Sequence, residues 1–321
     1  MGVDIFFLFY YYFFSTKISK AASKCRGIQW SKDLLPAESL SIDAITYEIP
    51  IRVGSFAAIF ICMFVFELLS PRRNLTTSKM LRWFNNLSMQ ALNTVMIRGL
   101  FPVIPITVAF LAGEKGWGLI NLYHLSPWSA IIIGAVSLDF VIYLQHVAFH
   151  TVPMCWRLHM VHHTDLDIDM TTGVRFHPVE IILSTFIKMA AIVILGAPPL
   201  AVLIFEVALN GGSIFTHSNV YIPGAVDKAL RVFLVTPDMH RVHHSVIMRE
   251  TNTNFGFNLS WWDRIMGTYQ DQPSAGHEGM TIGLGYFRDE KQLSLLWLLI
   301  LPLTRKKIRN LINPVRQEKN S

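Results

Sequence analysis

The sequence predicts an all-α protein: a polytopic membrane helical bundle with a cap of short helices at one face. Three observations predict it. Of the 321 residues, 52% are hydrophobic and only 16% are charged, whereas soluble domains carry about 25% charged residues. Several apolar runs approach the length of about 20 residues that crosses a bilayer. Three histidine clusters follow such runs, which predicts a polar site beside the membrane.

The first half of the chain divides into residues 1–50 and residues 51–134. We interpret residues 1–50 as an N-terminal interfacial and polar segment, because the aromatic run Ile5–Phe14 is too short to span reliably and lacks the features of a secretory signal. Residues 51–134 are predicted to form membrane helices. The first is Ile51–Ser70, which ends at a proline followed by two arginines.

The second apolar segment, Ser88–Ala112, contains two residues that a lipid-facing helix rarely carries. Asn93 and Arg98 lie within it. A buried arginine is costly and marks either a functional position or the end of a span. The sequence leaves both alternatives open.

Residues 135–272 are predicted to form the catalytic domain. A third span, Pro127–Gln145, leads into it. The apolar run Ile181–Leu209 is interrupted by Gly196-Ala197-Pro198-Pro199, and each half has only roughly fifteen apolar residues, short of the usual 20. We therefore expect a helical hairpin that dips into the bilayer and returns. In the tail, residues 273–321, the short run Leu293–Leu303 is expected to lie on the membrane.

The basic residues give the expected orientation. Arg72-Arg73 follow the first span, and Arg305-Lys306-Lys307 follow the last apolar run, as is typical of cytoplasmic flanks. If these basic residues face the cytoplasm, an even number of membrane crossings separates them from each histidine cluster. We expect an integral membrane protein with its histidines on the cytoplasmic face. The sequence does not decide between a bacterial inner membrane and the endoplasmic reticulum.

The histidine clusters have the spacing of metal-ligand motifs. Positions i, i+3 and i+4 share one face of a helix, so each cluster presents two or three imidazoles to one point. Proline and N-cap signals precede two of the clusters. The eight imidazoles exceed the need of one ion and fit two better. The box histidines are His146, His150, His159, His162, His163, His240, His243 and His244.

Three further residues are candidates for the same site. His177 and His217 are predicted as additional ligands because both lie near the same membrane face. Asp139 precedes His146 by seven residues on one helical face and is predicted to orient a ligand imidazole, or alternatively to pair elsewhere. His124 and His277 are expected to be bystanders. The cysteines are too few and too separated for a sulfur-based metal site, and imidazole alone does not choose the metal.

The boxes, the hairpin between them, and the segments Asn252-x-Asn254-Phe255-Gly256, Trp262-Asp263 and Gly267-Thr268-Tyr269 resemble the fatty acid hydroxylase/sterol desaturase superfamily. The resemblance covers about Asp139 to Tyr269. It implies a dinuclear centre of two iron ions, with zinc as an alternative occupant after purification. The box histidines, His177 and His217 would match the family's ligands, and Asn254 would match a polar residue near the centre.

The resemblance implies an oxidoreductase that uses dioxygen and two electrons to hydroxylate or desaturate a lipid of sterol or fatty acyl type. Neither a fused cytochrome b5 domain nor a dinucleotide fingerprint is visible, so a separate donor of the cytochrome b5, ferredoxin or reductase type is expected. A pterin-dependent ether-lipid monooxygenase is an alternative within the superfamily. A metal-binding or metal-transporting membrane protein without catalysis is the alternative from another class. The thinly spread net charge of +6 does not indicate a nucleic-acid partner.

Overall fold

The structure is a computed structural model that describes residues 47–101, 105–123 and 125–304. The aromatic N-terminal run, His124 and the basic tail lie outside these residues. Five segments are long and apolar enough to cross a membrane, and the second of them runs across residues 102–104, which lie outside the described residues. They are Glu48–Leu69, Lys79–Leu122, Pro127–Thr151, Pro178–Leu195 and Pro199–His217. The all-α, multi-pass class is confirmed.

The α-helices of the described residues fall into a bundle and a cap. The bundle consists of α1 (Glu48–Leu69), α2 (Lys79–Leu100), α3 (Pro105–Glu114), α4 (Leu119–Leu122), α5 (Pro127–Thr151), α7 (Pro178–Leu195) and α8 (Pro199–His217). Between α5 and α7, and after α8, shorter helices build the cap: α6 (Pro153–His163), α9 (Gly224–Leu230), α10 (Pro237–His243), α11 (Met248–Thr251), α12 (Trp261–Ile265), α13 (Gly276–Gly279) and α14 (Leu295–Ile300).

Helix α8 is central to the bundle and packs against α1, α3 and α5. Its buried residues Val202 and Phe205 join Leu138 and Ile142 of α5 in one apolar cluster. Side chains on the opposite faces of the bundle helices are exposed, for example Ile61, at 61%. Exposed apolar side chains are what a helix presents to lipid.

The expected hairpin is longer than its apolar run suggested. The turn lies at Gly196, whose φ of 68° ends α7 in the left-handed conformation. However, α7 begins at Pro178, with His177 as its N-cap, and α8 continues to His217. The apolar run Ile181–Leu209 did not include the polar residues at the outer ends of both helices. With 18 and 19 residues, both are candidate membrane spans.

The second expected segment, Ser88–Ala112, is divided between α2 and α3. Helix α2 begins earlier, at Lys79, with Ser78 as its N-cap. Its polar face is buried against the cap, where Asn86 donates to Asp165 and Asn93 donates to the backbone carbonyl of Phe176. Within the segment, Asn93 is therefore a buried, hydrogen-bonded residue and does not face lipid.

One end of the bundle carries the cap. The end of α1 lies beside the end of α8, because Arg72 N–H donates to the carbonyl of Asn219 and Tyr221 N–H donates to the carbonyl of Ser70. The three histidine boxes therefore lie on the same side as Arg72. The tail run Leu293–Leu303 does not cross the bundle. Its Leu298 and Leu301 are fully buried in a cluster with Trp156 of α6, while Leu296 and Leu303 are exposed.

Candidate metal centre

Nine histidines converge where the cap meets the bundle, in two groups within each of which the possible ligand atoms lie within 4.8 Å of one another. The larger group contains five histidines and the smaller contains four. Every member is buried. The larger group is His146, His150, His159, His163 and His243, and the smaller is His162, His217, His240 and His244. All eight box histidines and His217 are thus brought together.

Local sequence places these side chains. His146 and His150 lie one helical turn apart at the end of α5. Pro153 opens α6, which carries three of the histidines. Thr236 is the N-cap of α10, where its hydroxyl accepts from the N–H of Met239, and the proline that follows it opens the helix.

The Nε2 atoms face one another at the spacing of ligands around an ion. His146 Nε2 lies 3.1 Å from His159 Nε2. In the other group, His217 Nε2 lies 3.0 Å from that of His162 and 3.1 Å from that of His240. With metal–nitrogen bonds of about 2.0–2.1 Å, neighbouring ligand nitrogens lie about 3.0–3.4 Å apart.

The partners of Nδ1 show that several of these Nε2 atoms carry no proton. A carbonyl oxygen only accepts hydrogen bonds, so a ring nitrogen beside one must donate. Nδ1 of His146 lies 2.7 Å from the carbonyl of Phe255, and Nδ1 of His217 lies 2.7 Å from that of Ser213. His243 is held in the same way by Thr253. In a neutral ring, the remaining Nε2 is then a bare lone pair, which fits a cation between the rings.

The cap histidines are also kept in the protonation state that binds metal. Burial, followed by the charges of neighbouring imidazoles, holds the pKa of His159, His162 and His163 well below the usual range. The same causes hold down the pKa of His243 and His244. Neutral imidazole is the form that coordinates a metal. The donor set therefore fits two adjacent ions.

A carboxylate that sequence reasoning missed supports the larger group. Glu180, in the first turn of α7, has one oxygen 2.6 Å from Nδ1 of His159. Such a contact fixes the orientation of a ligand imidazole and increases its basicity. The sequence held a signal for it: an acid two residues after Pro178, at the start of an apolar helix.

The segment Asn252–Gly256 surrounds the centre with its backbone as well as its side chains. The carbonyls of Thr253 and Phe255 orient His243 and His146, and the side-chain oxygen of Asn252 lies 3.3 Å from Nδ1 of His150. Asn254 adopts a positive φ of 52°. Such a conformation is sustained only when the surroundings fix it.

Asn254 itself is held in the loop, and its side chain forms hydrogen bonds with backbone groups. Its amide donates to the carbonyls of Met239 and Gln270, and its side-chain oxygen accepts from the N–H of Gln270. Asp263 accepts from the N–H groups of Phe255 and Gly256 and so secures the other end of the segment. Asn254 is therefore a residue that positions the loop.

Asp139 does not orient an imidazole, although it lies on the predicted helical face. Its oxygens accept from the amide of Asn258 and the indole N–H of Trp262, each at 2.8 Å, and from the N–H of Leu259. The polar loop partners lie closer than any histidine, and the alternative of pairing elsewhere is the one observed. Asp139 connects α5 to the loop beyond the centre.

His177 is the one predicted ligand that the structure leaves outside both groups. As the N-cap of α7, its Nδ1 accepts from the N–H of Val179, and its Nε2 lies 3.2 Å from the carbonyl of Leu299. Both ring nitrogens are occupied by backbone. Its neighbour Phe176 contacts the centre instead, stacked on His162 with ring centroids 4.5 Å apart. His277 is buried beside Asp238, away from both groups.

Comparisons with known proteins agree with this geometry. Residues 131–268 match the fatty acid hydroxylase family. The ornithine lipid hydroxylase OlsE of Rhizobium tropici is 32% identical over 160 residues, 47% of each chain. The alkylglycerol monooxygenase of Homo sapiens is 28% identical over 55% of this chain and 38% of its own length. The very-long-chain aldehyde decarbonylase GL1-8 of Oryza sativa subsp. indica is 23% identical over 52% of this chain and 63% of its own. The chain spans less than two thirds of each of these relatives, and no solved structure matches it.

Proposed function

Taking residues 131–268 as a fatty acid hydroxylase domain, we propose that this protein is a membrane oxygenase that holds two iron ions and hydroxylates or desaturates a lipid. The observation that carries the proposal is the pair of buried histidine groups, in which the carbonyl partners of His146, His217 and His243 leave their facing nitrogens without protons. In hydroxylation, one C–H bond, dioxygen, two electrons and two protons become a C–OH group and water. A bound iron pair supplies the redox chemistry that no acid or base side chain can provide for an unactivated C–H bond.

The residues of the chain supply positioning and exclusion of water. Nine histidines would hold the ions, with Glu180 and the carbonyls of Thr253 and Phe255 fixing the ring orientations. All nine rings are buried, so the reacting position is shielded from bulk solvent. A cavity bordered by His146 and His159 leads to the centre from the membrane helices. A lipid can therefore be placed beside the ions without entering water.

The electron donor is proposed to be a separate protein of the cytochrome b5, ferredoxin or reductase type. We further propose that the cap faces the cytoplasm, because Arg72-Arg73 lie at the same end of the bundle as the histidines, and such residues are retained on the cytoplasmic side.

The name of the human relative, an alkylglycerol monooxygenase, favours a second candidate of the same reaction class. This is the ether-lipid monooxygenase alternative, in which a reduced pterin replaces the electron-transfer protein. Supplying the purified protein with either tetrahydropterin or a donor protein separates the two, because only the correct reductant sustains turnover.

The test uses the full chain in lipid nanodiscs and in host cells. We expect about two metal ions per chain, and host lipids that gain one oxygen or lose two hydrogens only when the protein is present with oxygen. His162→Ala and His243→Ala, one in each group, should lose metal and the lipid product. His177→Asn is the matched control, because asparagine also caps helices. Retention of metal and product by the double variant, or equal losses in the control, would refute the proposal.

A further inference from the structure

The cap carries an exposed apolar surface outside the five candidate spans. It is formed by the turn that follows α9 and by α12 with the residue after it. Its large hydrophobic side chains are between 37% and 70% exposed. Such a cluster marks a site that contacts a protein or a membrane. We call these residues the apolar surface of the cap: Val232, Phe233, Leu234, Trp261, Ile265 and Met266.

The two segments of this surface are joined to each other. The N–H of Val235 donates to the carbonyl of Asn258, and the N–H of Ser260 donates to the carbonyl of Phe233. The rings of Phe233 and Trp261 are also in contact, with centroids 6.1 Å apart. The turn after α9 and the start of α12 therefore form one unit.

Helix α5 fixes the level of this unit in the bundle. Asp139 is the thirteenth of the 25 residues of α5, so it lies at the middle of a candidate span. Its oxygens accept from the amide of Asn258 and from the indole of Trp262, each at 2.8 Å. The ring of Trp262 also packs against Phe140, with centroids 4.7 Å apart. The unit therefore descends along α5 to the middle of the helix.

Helix α8 places the unit below the cap end of the bundle as well. Gly212 lies five residues before His217, the last residue of α8, which is a distance of about 7.5 Å along the helix. A side chain at Gly212 would overlap Oδ1 of Asn258, so the loop packs directly on the helix backbone there. Both membrane helices thus contact the unit within their length and not at their ends.

The dimensions of a bilayer give the depth of this level. A helix of 25 residues is about 37 Å long, and the hydrocarbon core of a membrane is about 30 Å thick. Wherever that core lies within the length of α5, Asp139 is at least about 10 Å from either of its edges. The unit that binds Asp139 therefore reaches the depth of the acyl chains.

The backbone of the turn is satisfied in the way that hydrocarbon requires. A chain in lipid must pair its polar groups internally, because no water is present. The N–H groups of residues 232–234 donate to carbonyls of the preceding turn. The indole N–H of Trp261 donates to the carbonyl of Val232. The hydroxyl of Ser260 donates to the carbonyl of Arg231. Side chains thus cover carbonyls that water would otherwise solvate.

The charges of the unit also suit a lipid environment. Within residues 224–235 and 258–267, the acidic side chains Asp227 and Asp263 are buried, and Arg231 is buried beside Asp227. The exposed charged residues of these ranges are Lys228 and Arg264. Both are basic, and long basic side chains reach lipid headgroups while their stems remain in an apolar environment.

We propose that the apolar surface of the cap is immersed in the acyl chains of the leaflet on the cap side. This part of the protein enters the bilayer without crossing it, and its partner is the lipid itself. It extends the lipid-facing surface of α5, because Leu144, one turn beyond Phe140, is 42% exposed. This inference does not depend on the proposed oxygenase function.

The test uses the full chain in phosphatidylcholine nanodiscs, with the native cysteines replaced by alanine. A single new cysteine, Phe233→Cys or Ile265→Cys, carries a fluorescent bimane label. Both parent side chains are exposed, at 59% and 70%, so these variants should fold like the wild type. One quencher is a lipid with a nitroxide on its acyl chain, and the other is iodide in the water.

Two reference positions calibrate the quenching. Ile61→Cys, on the exposed face of α1, reports contact with lipid. Glu278→Cys, whose parent side chain is 82% exposed, reports contact with water. We expect both cap labels to be quenched by the nitroxide lipid as strongly as the Ile61→Cys label. Quenching by iodide should be at least about fivefold weaker than at Glu278→Cys, because an ion does not enter hydrocarbon.

Two results would overturn the inference. Iodide quenching of either cap label at the level of Glu278→Cys would place the apolar surface of the cap in water. Protection of the labels from both quenchers would mean that protein, such as a second copy of the chain, covers this surface instead of lipid.

Discussion

One carboxylate oxygen of Glu180 lies 2.6 Å from Nδ1 of His159, and both side chains are buried. The pair joins the first turn of α7, a membrane helix, to α6 of the cap. Because the contact fixes which nitrogen of His159 faces the centre, it links the packing of the bundle to the coordination of metal.

Replacing Glu180 should therefore weaken metal binding while leaving the nine histidines present. We expect Glu180→Ala to lower metal affinity about 10–100-fold, and Glu180→Gln to lower it less, because an amide oxygen still accepts from Nδ1. Competition with a calibrated chelator measures the affinity. Val179→Ala, whose parent side chain is 49% exposed, is the neighbouring control. Wild-type affinity in Glu180→Ala would show that the contact does not support the ion.

Asp263 should give the protein a distinctive dependence on pH. Burial raises its pKa to about 6, although Thr268, Gly256 and Phe255 donate hydrogen bonds to it. An unfolded aspartate has a pKa of about 3.9, so the folded state holds a proton that the unfolded state releases. The protonated carboxyl of Asp263 therefore stabilises the folded state fully below about pH 4, and this contribution to the free energy of unfolding is lost as the pH rises through about 6.

Comparison with Asp263→Asn isolates this effect, because asparagine does not titrate in this range. We expect the stability of the wild type relative to the variant to fall by about 2–3 kcal/mol between pH 4 and pH 7. Thermal unfolding midpoints across that range measure the difference, and contributions shared by the two proteins cancel. Parallel pH profiles would show that Asp263 has no raised pKa in the folded protein.

Arg82 should be among the most sensitive positions outside the metal centre. It is fully buried, with Nε 2.6 Å from Asp165 and Nη1 2.6 Å from Asp169. Burial alone would raise the pKa of Asp165, but the charges of Arg82 and Arg175 outweigh it and lower that pKa to about 2. Removing the arginine would leave both carboxylates buried without this partner.

We expect Arg82→Met to destabilise the protein by about 3–5 kcal/mol. Arg82→Lys should recover only part of that loss, because lysine lacks the planar fork that meets two carboxylates. The measurement is thermal unfolding in detergent. Lys79→Met, at a side chain 36% exposed beside Glu67, should cost less than about 1 kcal/mol. Equal losses at the two positions would contradict the role of the buried network.

Features of the site that follow from helical spacing could be predicted from the sequence, and features that depend on tertiary contacts could not. The box histidines could be predicted because helical spacing alone places i, i+3 and i+4 on one face. The carbonyls that orient His146 and His243 could not, because every residue has a carbonyl and only tertiary structure selects the ones that matter. His177, which was predicted as a ligand, lies outside both histidine groups for a related reason. Its role as the N-cap of α7 satisfies its ring, and the proline after it was the available signal.

The same limit applies to the polar residues of the membrane helices. The spacing of Glu180, Ser184 and Lys188 was present in the sequence, but hydropathy averages treat such residues as interruptions. Only the structure shows that these residues line one cavity together with polar residues of α2, such as Gln90 and Thr94. Asp139 lay on the predicted face, yet the loop partners that hold it are more than 100 residues away.

Removal of metal should destabilise the cap, because the two histidine groups would lose the cation that their nitrogens face. In the smaller group, His217 Nε2 faces those of His162 and His240 at 3.0 and 3.1 Å. Without a cation, the single lone pair on His217 Nε2 can accept a hydrogen bond from only one of the two facing nitrogens. A further proton does not readily compensate for the lost contact, because burial and neighbouring imidazoles hold down the pKa of His162 and His240. The rings would have to separate, and the helices that carry them would have to move.

A ligand at 1,000 times its dissociation constant stabilises a protein by about 4 kcal/mol. We therefore expect chelation to lower the unfolding midpoint by several degrees, and added ferrous iron to restore it. His217→Ala should respond less to chelator than the wild type, because its smaller group has already lost a ligand. His177→Asn should respond fully. A demetallated protein that unfolds at the wild-type temperature would show that the histidines pack stably without an ion, and the assignment of a metal centre would fall.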